Sequence, residues 1–180
     1  HIVGASQRLN RLVSDILVLS KSFSGASSLS ISNESMTELL DDSIIGLEAN
    51  ARAKNIKIKI ARPGKGLMLR CDSPLLRQAI KKLVDNAIKF SPDGGTIEIW
   101  AHRKPDHSTV ISIRDNGPGI SPSKLAECLL PFIQEDMSYG RPAEGLGLGL
   151  PIAKAIAEAH GGELICQSTQ GQGTVAAIWI

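Results

Sequence analysis

Aromatic residues are scarce in this chain: Phe, Trp and Tyr together make up 3% of its 180 residues. That is too few for the stacking platforms on which single-stranded nucleic acid is usually held. A strong charge of either sign is also missing. The formal net charge of +2 gives no pull toward nucleic acid or an anionic membrane surface, so neither is expected as a partner. No apolar run in this sequence is long enough to cross a bilayer, and a signal peptide is not expected in it. Cysteine is sparse: Cys71, Cys128 and Cys166 are odd in number and share no metal-ligand spacing. They read as reduced, largely buried thiols in a cytoplasmic protein.

What is present suffices for one domain of ordinary size with an appendage. The composition is 42% hydrophobic and 21% charged, enough to bury a real core. At the start, Ile2, Ala5, Leu9, Leu12, Ile16, Leu19 and Phe23 recur at alternating steps of three and four. This seam belongs to a helix packed along another helix, although an amphipathic helix lying on its own domain has the same signature. Because the pattern opens in mid-course, the chain reads as a piece of something longer. The serine-rich stretch 22–35 reads as a linker with one short strand at 29–31. The expected division is a bundle helix at 1–23, a linker at 24–34 and a globular domain at 35–180.

Within the globular part, Ser35 and Glu38 form a capping box that opens a helix reaching about Lys54. Strands are expected at 55–61 and 66–70. Ser73 then caps a second helix, with Pro74 at its first position, running to Phe90. Residues 96–102 and 109–114 alternate with period two, as half-buried strands do. A short helix at 121–130 precedes a loop at 131–144 with little periodicity. A helix over 148–160 is closed by Gly161 and Gly162, and strands at 163–168 and 174–180 meet at a G-Q-G turn. Helices and strands mix without strict alternation. The expected fold is α+β, a two-layer sandwich with a mixed sheet covered on one face by helices and one long bundle helix in front.

Three features carry chemistry. Asp115 shares parity with Ile111 and Ile113, so its carboxylate should face the core side and needs a donor. The exocyclic amine of adenine would supply one, and Gly117 and Gly119 would let backbone approach such a ligand; an Asx turn stabilising D-N-G is the alternative. On the second helix, Lys82, Asn86 and Lys89 form one polar row. The amide oxygen of Asn86 suits Mg²⁺, and Lys89 can neutralise phosphate charge, although two lysines also make an ordinary solvated face. Finally, E-G-L-G-L-G-L at 144–150 lacks the spacing of a dinucleotide fold and the G-K-[ST] of a P-loop. It reads as a glycine hinge at a helix N-terminus beneath a lid, or as a flexible loop with leucine packing.

Together these stretches resemble the catalytic ATP-binding domain of sensor histidine kinases, a fold shared with gyrase and with the chaperone and mismatch-repair ATPases. L-V-D-N-A-I-K-F (83–90) is similar to the N box and R-D-N-G-P-G-I (114–120) to the first glycine box. L-P-F-I-Q (130–134) resembles the F-box segment, residues 144–150 the second glycine box, and G-Q-G-T (171–174) the last. Residues 8–20 resemble the second helix of the dimerisation hairpin. The resemblance implies that Asp115 holds the adenine amine, with Gly117, Gly119, Ile120 and Thr174 around the purine. It further implies Mg²⁺ on Asn86 and ATP phosphates near Lys89 and Lys82. Gly145, Gly147 and Gly149 would form the lid hinge, anchored by Phe132. A homodimer through the hairpin and a response regulator or phosphotransfer partner follow from the same likeness.

Two departures stand out. The family places an Asn, or in its hydrolytic members a Glu, where this chain has Lys82. A lysine cannot act as a carboxylate base, so autonomous hydrolysis is not expected; a phosphate contact or a degenerate, turnover-free scaffold are the alternatives. The phosphoacceptor motif is also missing. His1 matches nothing, His102 and His107 flank a hairpin loop, and His160 ends a helix whose dipole suits its charge. No catalytic residue is therefore assigned within the chain.

Overall fold

A computed structural model describes residues 29–64, 66–131 and 147–180. The expected bundle helix at 1–23 lies outside the described residues. The first strand, β1 (Ser32–Ser35), lies three residues beyond the expected position and pairs antiparallel with β3 (Met68–Cys71). Ser35 then caps α1 (Met36–Ile44), its hydroxyl accepting the Glu38 N–H at 3.5 Å. The helix does not continue to Lys54. It stops before Gly46, which has φ +84°, and restarts as α2 (Glu48–Ala53). A left-handed residue cannot lie inside a right-handed helix, and only glycine adopts it cheaply.

After β2 (Lys57–Ile60) and β3 comes α3 (Ser73–Phe90), with Pro74 in its first turn. Its cap is Asp72 rather than Ser73: the carboxylate accepts the Leu75 N–H at 3.2 Å. The far end is capped from outside. Lys54 Nζ donates to the carbonyls of Ile88 at 2.9 Å, Lys89 at 2.9 Å and Ser91 at 2.6 Å, placing a cation where a helix leaves its carbonyls unpaired.

The main sheet has the order β2-β4-β5-β7-β6, with β4 at Thr96–Arg103, β5 at Thr109–Arg114, β6 at Glu163–Thr169 and β7 at Gly173–Trp179. The β2–β4 pair is parallel and every other pair antiparallel, so the sheet is mixed as expected. Ile97, Ile99, Ile111, Ile113, Ala176 and Ile178 point to one face. There they meet Ile80 and Leu83 of α3 and Ile152 and Ile156 of α5 (Gly149–Ala159). Each such isoleucine or leucine side chain, once buried, contributes roughly 2 kcal/mol. The other face carries both tryptophans, Trp100 and Trp179, with Lys104 Nζ 3.4 Å from the Trp179 ring centre. β5 departs from the half-buried expectation. As the central strand it is covered on both faces, and only Arg114 at its end is exposed. Among the described residues between β5 and α5 lie α4 (Pro122–Leu125) and a 3₁₀ turn at Glu127–Leu129.

Candidate functional site

Asp115 follows the last residue of β5, and its main chain pairs with β7 through Asp115 N–H to Thr174 O at 2.9 Å. Its Oδ1 accepts two backbone donors, Gly117 N–H at 2.8 Å and Thr174 N–H at 3.2 Å. The Asx turn is therefore real, but it uses one oxygen only. Oδ2 has no partner among the described residues. Burial pushes the carboxyl above its ordinary value of 3.8, and the bonds from Gly117 and Thr174 pull the other way.

The two glycines of this turn are required by the chain itself. A Cβ at Gly117 would lie 2.8 Å from the Phe90 carbonyl and 2.9 Å from Asp115 Oδ1. Gly119 has φ +69°, and a Cβ there would collide with the Thr169 carbonyl. The backbone that approaches closely at Gly119 is thus the β6–β7 turn, which is also tied down by Gly171 N–H to Pro118 O at 2.6 Å.

Ser168, which carries no local sequence signal, connects these parts. Its hydroxyl accepts the Ile120 N–H at 2.7 Å, donates to Gly173 O at 2.9 Å and lies 2.8 Å from Thr174 Oγ1. Ile120 and Thr174, both singled out from sequence, meet through it. The only hint was the shared parity of Ser168 and Thr174 across the hairpin, where they are register partners. Beside this hairpin a cleft of about 470 Å³ is lined by Arg114, Leu125, Cys166, Ser168 and Thr174 among others. Burial, with a smaller contribution from Cys128, raises the Cys166 thiol to about 11, which leaves it protonated and unreactive at neutral pH.

Across the domain, Asn86 lies half-exposed on α3 and directly against the first residue of α5. A Cβ at Gly149 would come within 2.8 Å of Asn86 Nδ2 and 3.0 Å of Oδ1. Two residues earlier, Gly147 turns the chain with φ +67°. Lys82, one helical turn before Asn86, is partly buried, and Lys89 Nζ lies 4.9 Å from the Phe90 ring centre. Gly145, Phe132 and most of the expected lid lie outside the described residues. His160 does not meet the helix end as a charge. Its Nε2 accepts the Asp72 N–H at 3.0 Å, so Nδ1–H donates to Ile156 O at 2.7 Å.

Comparison with known proteins agrees with this architecture. Residues 71–180 match the family described as histidine kinase-, DNA gyrase B-, and HSP90-like ATPase. The circadian input-output histidine kinase CikA of Synechococcus elongatus is 32% identical over 181 residues, covering 99% of this chain and 24% of that protein. The full-length structure of ShkA in complex with AMPPNP superposes with a TM-score of 0.85 at 27% identity, over 98% of this chain and 36% of that one. The nucleotide-free catalytic domain of histidine kinase ThkA, at 23% identity and a TM-score of 0.71 over 84% of this chain and 95% of that one, shares the fold. The chain spans about a quarter or less of the length of the curated relatives it matches.

Proposed function

Because the chain belongs to the histidine kinase-, DNA gyrase B-, and HSP90-like ATPase family, we propose that it is the catalytic ATP-binding region of a sensor histidine kinase. It presents the γ-phosphate of Mg·ATP to a histidine that is none of the four in this chain. A bond forms from that imidazole nitrogen to the γ-phosphorus while the bond to the bridging oxygen breaks and ADP leaves. The protein contributes position and charge neutralisation.

The observation that carries this reading is Asp115 Oδ2, an acceptor in a half-buried setting with no partner among the described residues. Adenine presents an amine to such an oxygen; guanine presents an acceptor at the matching position. Asp115 then reads the base, with Gly117, Gly119, Ile120 and Thr174 forming the wall around it. Asn86 offers an amide oxygen for Mg²⁺. Mg²⁺ held there would take its remaining oxygen ligands from phosphate and water, as a hard ion of this kind does. Bound Mg²⁺ supplies charge neutralisation on the phosphates. Lys82 and Lys89 stand near those phosphates, and Gly145, Gly147 and Gly149, with Phe132, close the lid. Support for nucleotide in this fold comes from the AMPPNP complex of ShkA.

To the same proposal belong a domain at 35–180, dimerisation of the parent protein through a hairpin that includes 1–23, and relay to a response regulator or phosphotransfer protein in the cytoplasm. Lys82 favours one second reading, a turnover-free scaffold that binds nucleotide to regulate a partner. Calorimetry with ATP and GTP tests the pocket: wild type selects ATP, and Asp115→Ala loses that selectivity while remaining folded. Unchanged ATP affinity in a folded Asp115→Ala protein sinks the assignment. With γ-labelled ATP the chain alone acquires no label; label on any of its histidines overturns the acceptor statement.

A further inference from the structure

Asp72 joins three separate parts of the chain. It is 7% exposed, at the N-terminus of α3. Its Oδ1 accepts the Leu75 N–H at 3.2 Å, which caps the helix, while Oδ2 accepts the Ser30 N–H at 2.9 Å. Its own N–H donates to His160 Nε2 at 3.0 Å, and His160 Nδ1–H donates back to Ile156 O at 2.7 Å. Both ring nitrogens are thus engaged, and the residue immediately after α5 is fastened to the residue immediately before α3.

The other ends of the same two helices also meet. Asn86, in the last third of α3, touches Gly149, the first residue of α5. The helices therefore run antiparallel, with a hydrogen-bonded pin at one end and the Asn86–Gly149 contact at the other. Between the ends, the interface is aliphatic: Leu76, Ile80 and Leu83 on α3, Ile152 and Ile156 on α5. Apolar contact is non-directional and sets axial register only loosely, whereas a hydrogen bond has a narrow range of distance and angle. The pin at Asp72–His160 is what fixes how far along α3 the first turn of α5 sits.

We propose that Asp72 and His160 are positioning residues that hold Gly149 in register over Asn86, and that the segment entering at Ser30 acts on the nucleotide cleft through them. Ser30 is the point where the expected linker first bonds to the domain among the described residues, and its donor falls on the carboxylate that caps α3. A pull on that segment changes the load on Asp72, and Asp72 transmits it to both helices at once. The inference rests on the assignment of the Asn86–Gly149 cleft to Mg·ATP.

The test measures ATP affinity of the whole 180-residue chain with Mg²⁺ and with EDTA. In His160→Ala the enhancement by Mg²⁺ falls roughly tenfold, within the usual range of coupling between sites. Affinity in EDTA stays as in wild type, because Asp115 is untouched; a loss of general stability would not separate the two. His160→Gln, whose carbonyl can accept the Asp72 N–H, restores most of the enhancement. Ser30→Pro deletes the donor and shifts the enhancement the same way, while Ser30→Ala keeps the N–H and leaves it unchanged. In an Asp72→Asn background, whose amide oxygen serves Leu75 and whose NH₂ cannot accept, Ser30→Pro has no further effect.

A folded His160→Ala protein with wild-type Mg²⁺ dependence overturns the proposal, as does a Ser30→Pro effect of full size on Asp72→Asn. If the wild-type chain binds no Mg·ATP, the functional reading has failed and hydrogen exchange without nucleotide decides the coupling. Faster exchange at residues 152–155 in both His160→Ala and Ser30→Pro upholds it; exchange unchanged from wild type in either variant overturns it.

Discussion

The Asn86 amide occupies the space that a side chain on Gly149 would need: a methyl there would sit 2.8 Å from the amide nitrogen. Two opposing effects therefore act on Gly149→Ala. Alanine is the better helix former by about 1 kcal/mol, which favours the variant. The added methyl, however, has to displace the Asn86 amide. We expect a folded protein whose thermal midpoint changes little but whose ATP affinity loses most of its Mg²⁺ dependence. Melting curves and calorimetry on one preparation read both effects. A variant with intact Mg²⁺ dependence removes Asn86 from the metal.

Asp115 gives a prediction about pH with a definite sign. Its carboxyl is raised above 3.8 in the fold, mainly by burial. For an acid raised on folding, the stabilising contribution is complete below the unfolded value and is lost as pH rises through the folded value. The ionised side chain thus costs stability at neutral pH. Asp115→Asn keeps an oxygen for Gly117 and Thr174 but has no charge to bury. It should melt no lower than wild type at pH 7, lack that fall in stability above pH 3.8, and bind ATP poorly. A lower melting temperature at pH 7 in Asp115→Asn contradicts the raised carboxyl.

Asp115 and Asn86 stood out in the sequence for local reasons. Asp115 has the parity of a buried strand position, and Asn86 is an amide set among helix formers. Ser168 could not be found that way. Its partner Ile120 is 48 residues distant, and a serine in a polar strand edge is ordinary. The break at Gly46 was hidden because the apolar spacing continues through it, whereas the left-handed φ of that glycine is what ends α1. Asp72 and Ser73 are both competent caps, so the choice between them fell to contacts with Ser30 and His160 that only the folded chain supplies. Gly119 was legible as a bare position but not in its purpose, since the Thr169 carbonyl that fills its space comes from the end of β6, far along the chain.

Lys54 also acts at a distance from its neighbours in sequence. Its ammonium serves three carbonyls at the end of α3, and the carbonyl of Phe90, in that same last turn, packs against Gly117. Lys54→Met keeps the aliphatic stem and removes the charge. It should cost about 2 kcal/mol of stability, the order expected for hydrogen bonds to a charged group. Urea unfolding measures the loss. A change within error means that water replaces the ammonium without penalty, and the end of α3 is held by other contacts.

The Ser168 hydroxyl is saturated. It has one proton, and Gly173 O at 2.9 Å is the partner that can only accept. Its two lone pairs are left for the Ile120 N–H at 2.7 Å and the Thr174 hydroxyl at 2.8 Å, so the direction of each bond follows. Ser168→Ala strands all three partners and should cost roughly 1–3 kcal/mol. It also frees the turn that follows Asp115, so ATP affinity falls with stability. Thr174→Val removes one of the three bonds and should have a smaller effect on both. Thr174→Ser keeps the hydroxyl and should change neither. Denaturant melts and calorimetry of the three variants establish the order. If Thr174→Val proves as damaging as Ser168→Ala, the threonine hydroxyl has a partner beyond Ser168, and the wall beside Asp115 is built differently from this hydrogen-bond set.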